Sequence, residues 1–130
     1  MLTATAVGQL SGECTLWRDT LRNFKNKFLK NKSILMGIAP QQSFKDVLVE
    51  IEHLDNQFHI QLINIHDLKH NIKRHMDRIA YERSIMNGQI SDDVMARHEY
   101  LYDEFQNLET ILHVISREFD RFIKHIRDSN

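Results

Sequence analysis

Histidine is the residue type best able to do chemistry in this sequence, because eight of the 130 residues are histidine. Helical bundles hold metal ions with imidazoles and carboxylates that project inward from several helices. When the apolar positions are read as heptads, six of the eight histidines fall outside the apolar seam, and only His75 and His98 point inward. His66 and His70 could share a metal at the surface, but two ligands without a third make a weak site. We therefore expect no metal site and no cofactor.

The segment His66-Asp67-Leu68-Lys69-His70 carries a second kind of histidine chemistry. It resembles the motif of histidine phosphotransfer proteins, in which a surface histidine is followed by a variable residue, an apolar residue, a lysine and a small residue. The resemblance implies that His66 accepts a phosphoryl group and that Lys69 steadies it. His70 departs from the motif, because it stands where a small residue lets a response regulator approach. An exposed helix face explains the same residues, so phosphotransfer through His66 is the alternative interpretation.

Three helices are predicted to position these side chains. Turn-forming residues are confined to the stretch around Gly8 and Gly12, to residues 36–40, and to Asn87-Gly88. The first helix is expected to start at residue 12 with Ser11 as its candidate N-cap, and Ser43 and Ser91 are the candidate N-caps of the other two helices. The predicted segments are a candidate disordered tail at residues 1–10 and helices over residues 12–34, 43–87 and 92–127.

The apolar residues of the second and third helices recur at alternating spacings of three and four. This register runs from Phe44 to Met86 and from Val94 to Ile126, which favours coiled-coil-like packing. The short loop at Asn87-Gly88 makes the two helices antiparallel. The predicted fold class is all-α: a long helical hairpin with a shorter N-terminal helix that makes a three-helix bundle at the open end and leaves a bare two-helix arm. The competing interpretation is a break within residues 64–71 that gives a four-helix globule.

Glu82 and His98 interrupt the apolar seam on both helices of the predicted hairpin. If Met86 pairs with Val94 across the loop, Glu82 lies opposite His98. A partly buried acid–base pair penalises slipped registers, in which either charge would lie unpaired. We predict that Glu82 and His98 form a hydrogen bond and set the register of the hairpin.

The composition indicates a single domain without catalytic signatures. Seventeen Lys and Arg against eighteen Asp and Glu give a formal charge of -1, which does not favour nucleic acid as a partner. The one cysteine, Cys14, lies on the apolar stripe, which is typical of a buried thiol rather than a nucleophile. The sequence has no Gly-rich phosphate loop and no nucleophile elbow. We therefore expect a protein that is not an enzyme.

Four apolar residues exceed what a two-helix seam needs: Ile60, Ile63, Ile111 and Val114. Either the first helix covers them, or they form an exposed patch for self-association or a partner helix. The predicted function is a helical scaffold or adaptor with a protein partner, a second copy of the chain among the candidates, and with no membrane contact. The first twelve residues lack a basic residue and a long apolar run, so we expect no secretory signal and a cytoplasmic location.

Overall fold

The structure is a computed structural model that describes residues 4–129. Three α-helices and one short 3-10 turn account for nearly all of these residues, and the described part contains no strand. The predicted all-α fold class is therefore confirmed. The elements are α1 (Ala4–Ile38), a 3-10 turn (Ala39–Gln41), α2 (Lys45–Ile85) and α3 (Asp92–Asp128).

The helices pack as a three-helix bundle in which α2 runs antiparallel to both α1 and α3. Buried residues recur at intervals of three and four on every helix, so each helix presents one stripe to a shared core. The 41 residues of α2 continue without interruption through residues 64–71, so the four-helix alternative is wrong. At 1.5 Å per residue, α2 is about 60 Å long. The largest fully buried side chains are Phe28, Phe58, Leu21, Leu35, Leu54, Ile65, Ile72, Ile79, Leu101 and Leu112.

Helix α1 is longer than the sequence analysis predicted. It begins at Ala4 rather than at residue 12, and it continues to Ile38 rather than ending at residue 34. Of the predicted disordered tail, residues 1–3 lie outside the described residues, and residues 4–10 are helical. Glycine inside a helix costs about 1 kcal/mol relative to alanine, but burial of Val7 and Leu10 offsets this cost.

The longer α1 also corrects the predicted two-helix arm. Val7 is fully buried, and a Cβ placed on Gly8 would lie 3.9 Å from the guanidinium of Arg83 near the end of α2. The first helix therefore reaches the last turn of α2, where the sequence predicted a two-helix arm. The N-terminal half of α1 packs against the two inward histidines.

The loop between α2 and α3 uses the turn chemistry that the sequence indicates. Asn87 and Gly88 have φ values of 53° and 84°, the left-handed conformation that ends helices. The hydroxyl of Ser91 then accepts a hydrogen bond from the backbone N–H of Val94, which makes Ser91 the N-cap of α3. The loop thus fixes how the ends of α2 and α3 meet.

Candidate metal centre

One metal-ligating side chain from each helix meets in the interior of the bundle. Cys14 comes from α1, His75 from α2 and His98 from α3, and all three are buried. One ligand atom from each residue lies within 4.8 Å of the corresponding atom of the other two. Because each residue lies on the apolar stripe of its own helix, packing of the three stripes brings the atoms together.

The distances between these atoms are close to those of a tetrahedral zinc site. Nε2 of His75 lies 3.0 Å from Nδ1 of His98, and Sγ of Cys14 lies 3.8 Å from the same Nδ1. Bond lengths of 2.0–2.1 Å to nitrogen and 2.3 Å to sulfur place tetrahedral ligand atoms about 3.4–3.6 Å apart. The two distances to Nδ1 of His98 thus lie within about half an ångström of tetrahedral values, and the third pair, Cys14 and His75, lies within 4.8 Å.

Glu13 and Trp17 orient His98 from the outside of the cluster. Oε2 of Glu13 lies 2.7 Å from Nε2 of His98 and accepts a hydrogen bond from that nitrogen. In the neutral imidazole this bond leaves the lone pair on Nδ1, the atom that faces Cys14 and His75. The ring of Trp17 packs against His98 with 4.9 Å between ring centroids. A carboxylate on the outer nitrogen of a histidine is the usual support for a metal ligand.

The interior of the bundle keeps the Cys14 thiol and the His75 imidazole uncharged when no metal is bound. Burial raises the pKa of the Cys14 thiol to about 12, and the nearby Glu13 carboxylate contributes to the increase. Burial also lowers the pKa of His75 to about 4, assisted by the positive charge of His98 when protonated and of Arg97. A neutral thiol and a neutral imidazole therefore face each other at pH 7.

A groove between α2 and α3 connects His75 with the surface. Its volume is about 670 Å³. The groove offers a route by which an ion or a small molecule reaches the cluster from the α2–α3 side. Its lining residues are Asn71, Arg74, His75, Asp77, Arg78, Tyr81, Asp93, Val94 and Arg97.

The structure corrects the predicted hydrogen bond between Glu82 and His98. Both side chains are buried, but the partners of His98 are in the cluster described above. Glu82 instead accepts hydrogen bonds from the backbone N–H of Ser91 at 2.7 Å, from the Ser91 hydroxyl at 3.2 Å and from Nε of Arg78 at 2.9 Å. The prediction was wrong because Ser91 and Arg78 occupy the Glu82 carboxylate, while Glu13 of α1 and His75 of α2 occupy the two ring nitrogens of His98.

The other predicted site residues lie at the surface of the bundle. His66 is exposed and borders a groove between α1 and α2 that Lys69 also lines, so phosphotransfer through His66 stays a prediction. The sequence left open whether the first helix covers four apolar residues or whether they form an exposed patch. In the structure these four residues are 39% to 49% exposed. Helix α1 therefore does not cover Ile60, Ile63, Ile111 or Val114.

Sequence reasoning missed Cys14 and Glu13 as members of this cluster. The signal was the continuation of the α1 stripe, since Val7, Leu10, Cys14 and Trp17 follow the same spacing of three and four. Packing of that whole stripe against the hairpin places residues 13 and 14 level with the inward histidines.

Comparison with known proteins adds no relative: no family model matches the chain, and neither the curated proteins nor the solved structures give a match. None of the helices in the described part of the chain is long and apolar enough to cross a membrane.

Proposed function

We propose that this protein is a zinc-binding helical bundle that holds one Zn²⁺ per chain. The proposed ligands are Sγ of Cys14, Nε2 of His75 and Nδ1 of His98. The observation that carries the proposal is the convergence of these three buried atoms from three different helices. A thiolate and two imidazoles are ligand types that Zn²⁺ prefers, and the proposal replaces the sequence-based expectation of no metal.

The charges around the cluster support a divalent ion. Binding converts the Cys14 thiol to a thiolate, whose proton is released to water. The thiolate and the carboxylate of Glu13 then carry two negative charges, which balance the two positive charges of the ion. With three protein ligands, the fourth position of a tetrahedral ion is open to water or a small ligand, and the groove at His75 supplies access to it.

The test is a metal titration of the full chain with Co²⁺ and Zn²⁺. Bound Co²⁺ reports a thiolate ligand by a charge-transfer band in the near ultraviolet, and competition with a chromophoric chelator gives the Zn²⁺ affinity. We expect one equivalent of Co²⁺ to produce this band and Zn²⁺ to abolish it. C14A should lose the band and most of the affinity. Its circular dichroism spectrum shows whether the metal-free fold is retained.

The surface histidines provide the matched control. His66 and His70 are exposed and lie four residues apart on α2, the spacing of an adventitious metal site. The double variant H66Q/H70Q should keep the full stoichiometry and the cobalt spectrum. The proposal is overturned if the wild-type chain gives no thiolate band, or if C14A binds Zn²⁺ as tightly as wild type.

We also propose a scaffold function through the α2–α3 surface, with a second copy of the chain as the partner. The exposure of the four predicted interface residues supports this second function, because each helix presents two large apolar side chains to solvent that the core does not use. A net charge of -1 opposes association of two copies only weakly. The non-enzymatic role expected from the sequence belongs to this proposal.

Sedimentation equilibrium tests the scaffold function. The wild-type chain is expected to form a dimer, and I111E should shift the equilibrium to the monomer. The control is L16E, which places the same charge on an exposed leucine of α1 away from the α2–α3 surface. A wild-type monomer at all concentrations, or equal effects of both variants, would contradict a dimer through this face.

A further inference from the structure

A groove between α1 and α2 gathers positive charge without negative charge. Its volume is about 440 Å³, which lies within the usual range for small-molecule sites. Six of its nine lining residues are basic or histidine, and none of the nine is acidic. The lining residues are Arg18, Lys25, Leu29, Leu62, Ile65, His66, Lys69, His70 and Lys73.

Electrostatic repulsion within this groove differs from the charge pairing elsewhere along α1 and α2. Further along the bundle, Lys32 of α1 forms an ion pair with Asp55 of α2 at 2.9 Å. In the groove, α1 and α2 instead bring cations together. Removal from water is the largest cause that lowers the pKa of Lys69, and the positive charges of Lys25 and Arg18 lower it further. The fold therefore holds like charges together, which costs free energy unless an anion binds between them.

One residue that lines the groove, Arg18, has a buried donor atom without an acceptor in the described part of the chain. Nε of Arg18 is buried and has no hydrogen-bond partner among the described residues. Buried polar atoms are nearly always satisfied in folded proteins, so an orphaned guanidinium N–H indicates a missing acceptor. An anionic oxygen is the acceptor that arginine binds best.

The apolar residues of the groove indicate the rest of the ligand. Leu29, Leu62 and Ile65 contribute to the lining together with the cations. Such a lining suits a molecule that carries both an anionic group and a less polar group. Phosphate oxygens match several cations at once, because one phosphate carries up to two charges and several acceptor oxygens.

We propose that the α1–α2 groove binds a nucleotide-like organic phosphate, with the phosphates between Arg18, Lys25 and Lys69 and the less polar group against Leu29 and Leu62. The groove shares no residue with the proposed zinc site, so this proposal does not depend on zinc binding. Binding is non-covalent and needs no chemistry at His66. Neutralisation of the cations by the phosphates accounts for why the fold tolerates their proximity.

Isothermal titration of the full chain with adenosine diphosphate and with inorganic pyrophosphate tests the proposal. A chelator is present in both titrations, so that no metal ion bridges the phosphates to histidine. We expect saturable binding of one adenosine diphosphate per chain and weaker binding of pyrophosphate, which lacks the less polar group. Affinity should fall as salt concentration rises, since exposed charges are screened. Equal affinities for the two probes would overturn the assigned role of Leu29 and Leu62.

Two variants and one control locate the binding site. K69Q and R18Q should each weaken adenosine diphosphate binding by about tenfold, the effect of losing one charged contact. K30Q is the control, because Lys30 is an exposed lysine of α1 that does not line the groove. Thermal melts show whether K69Q keeps its fold. A folded K69Q tests the site even if R18Q does not fold.

Three results would overturn the proposal. The first is the absence of saturable adenosine diphosphate binding by the wild-type chain. The second is an equal loss of affinity in K69Q and K30Q, which would indicate diffuse attraction to a basic helix. The third is binding to anionic phospholipid vesicles that K69Q weakens while adenosine diphosphate does not bind, which would assign the groove to a membrane surface.

Discussion

The two halves of the bundle are held together by different kinds of contact. In the half beside the α1–α2 turn, Phe58 packs against Phe28 at 4.7 Å and against Phe119 at 5.5 Å between ring centroids. In the half beside the α2–α3 loop, the buried positions include His75, His98 and Glu82, which form directional hydrogen bonds. Aromatic packing supplies free energy of burial with little demand on direction. The polar half also buries an aromatic pair, with 5.8 Å between the ring centroids of Trp17 and Phe105, but its hydrogen bonds in addition fix specific atoms in place.

The largest effect on stability is therefore expected in the aromatic half. Phe58 is fully buried and contacts rings from both other helices, so F58A removes packing and leaves a cavity. We expect F58A to lower the free energy of unfolding by about 3–5 kcal/mol, the usual cost of Phe to Ala in a core. Urea denaturation followed by circular dichroism measures it.

V49A is the control for F58A on the same helix. Val49 is 56% exposed and lies outside the proposed interface, so its truncation should change the free energy of unfolding by less than about 0.5 kcal/mol. Similar losses in the two variants would show that the aromatic half does not dominate stability, and the contrast between the two halves would fail.

The sequence predicted the aromatic half better than the polar half, for a physical reason. Apolar burial depends on which face of a helix a residue occupies, and spacing of three and four determines that face. A hydrogen bond depends on which atom lies within 3 Å, and that requires the exact extent of every helix nearby. The predicted inward positions of His75 and His98 are confirmed, whereas the predicted partner of His98 is wrong.

The start of α1 shows how tertiary burial overrides local propensity. Gly8 and Gly12 are turn-forming residues, and local propensity alone favours a helix that begins near residue 12. Tertiary burial of Val7 and Leu10 outweighs that propensity, so the helix begins at Ala4. Propensity is a local quantity, whereas the burial that overrides it depends on distant parts of the chain, such as Arg83 beside Gly8.

An intermediate effect is expected at the cap of α3. The Ser91 hydroxyl accepts from the N–H of Val94 and donates to Glu82, so S91A removes both contacts. We expect a loss of about 1 kcal/mol, the typical cost of replacing an N-cap serine. The control is S84A, because the hydroxyl of Ser84 is exposed and donates only to the Tyr81 carbonyl. If S84A costs as much as S91A, the cap does not join α2 to α3 as described.

The smallest effect is the pH dependence contributed by Glu82. Hydrogen bonds from Ser91 are the main cause that lowers the pKa of Glu82, and Arg78 lowers it further. A carboxyl group with a lower pKa in the folded state binds fewer protons there than in the unfolded chain. Its stabilising contribution is therefore complete above the unfolded pKa and is lost as pH falls through the folded pKa.

Comparison of wild type with E82Q measures this contribution. Glutamine keeps an oxygen for the backbone N–H of Ser91 but does not titrate, so it removes the charge and retains part of the geometry. We expect the melting temperature of wild type to exceed that of E82Q at pH 7, and the difference to shrink as the pH falls below the ordinary Glu value of 4.5. A difference that is constant from pH 7 to below this value would mean that Glu82 acts through shape alone. The polar half would then, like the aromatic half, be stabilised independently of charge.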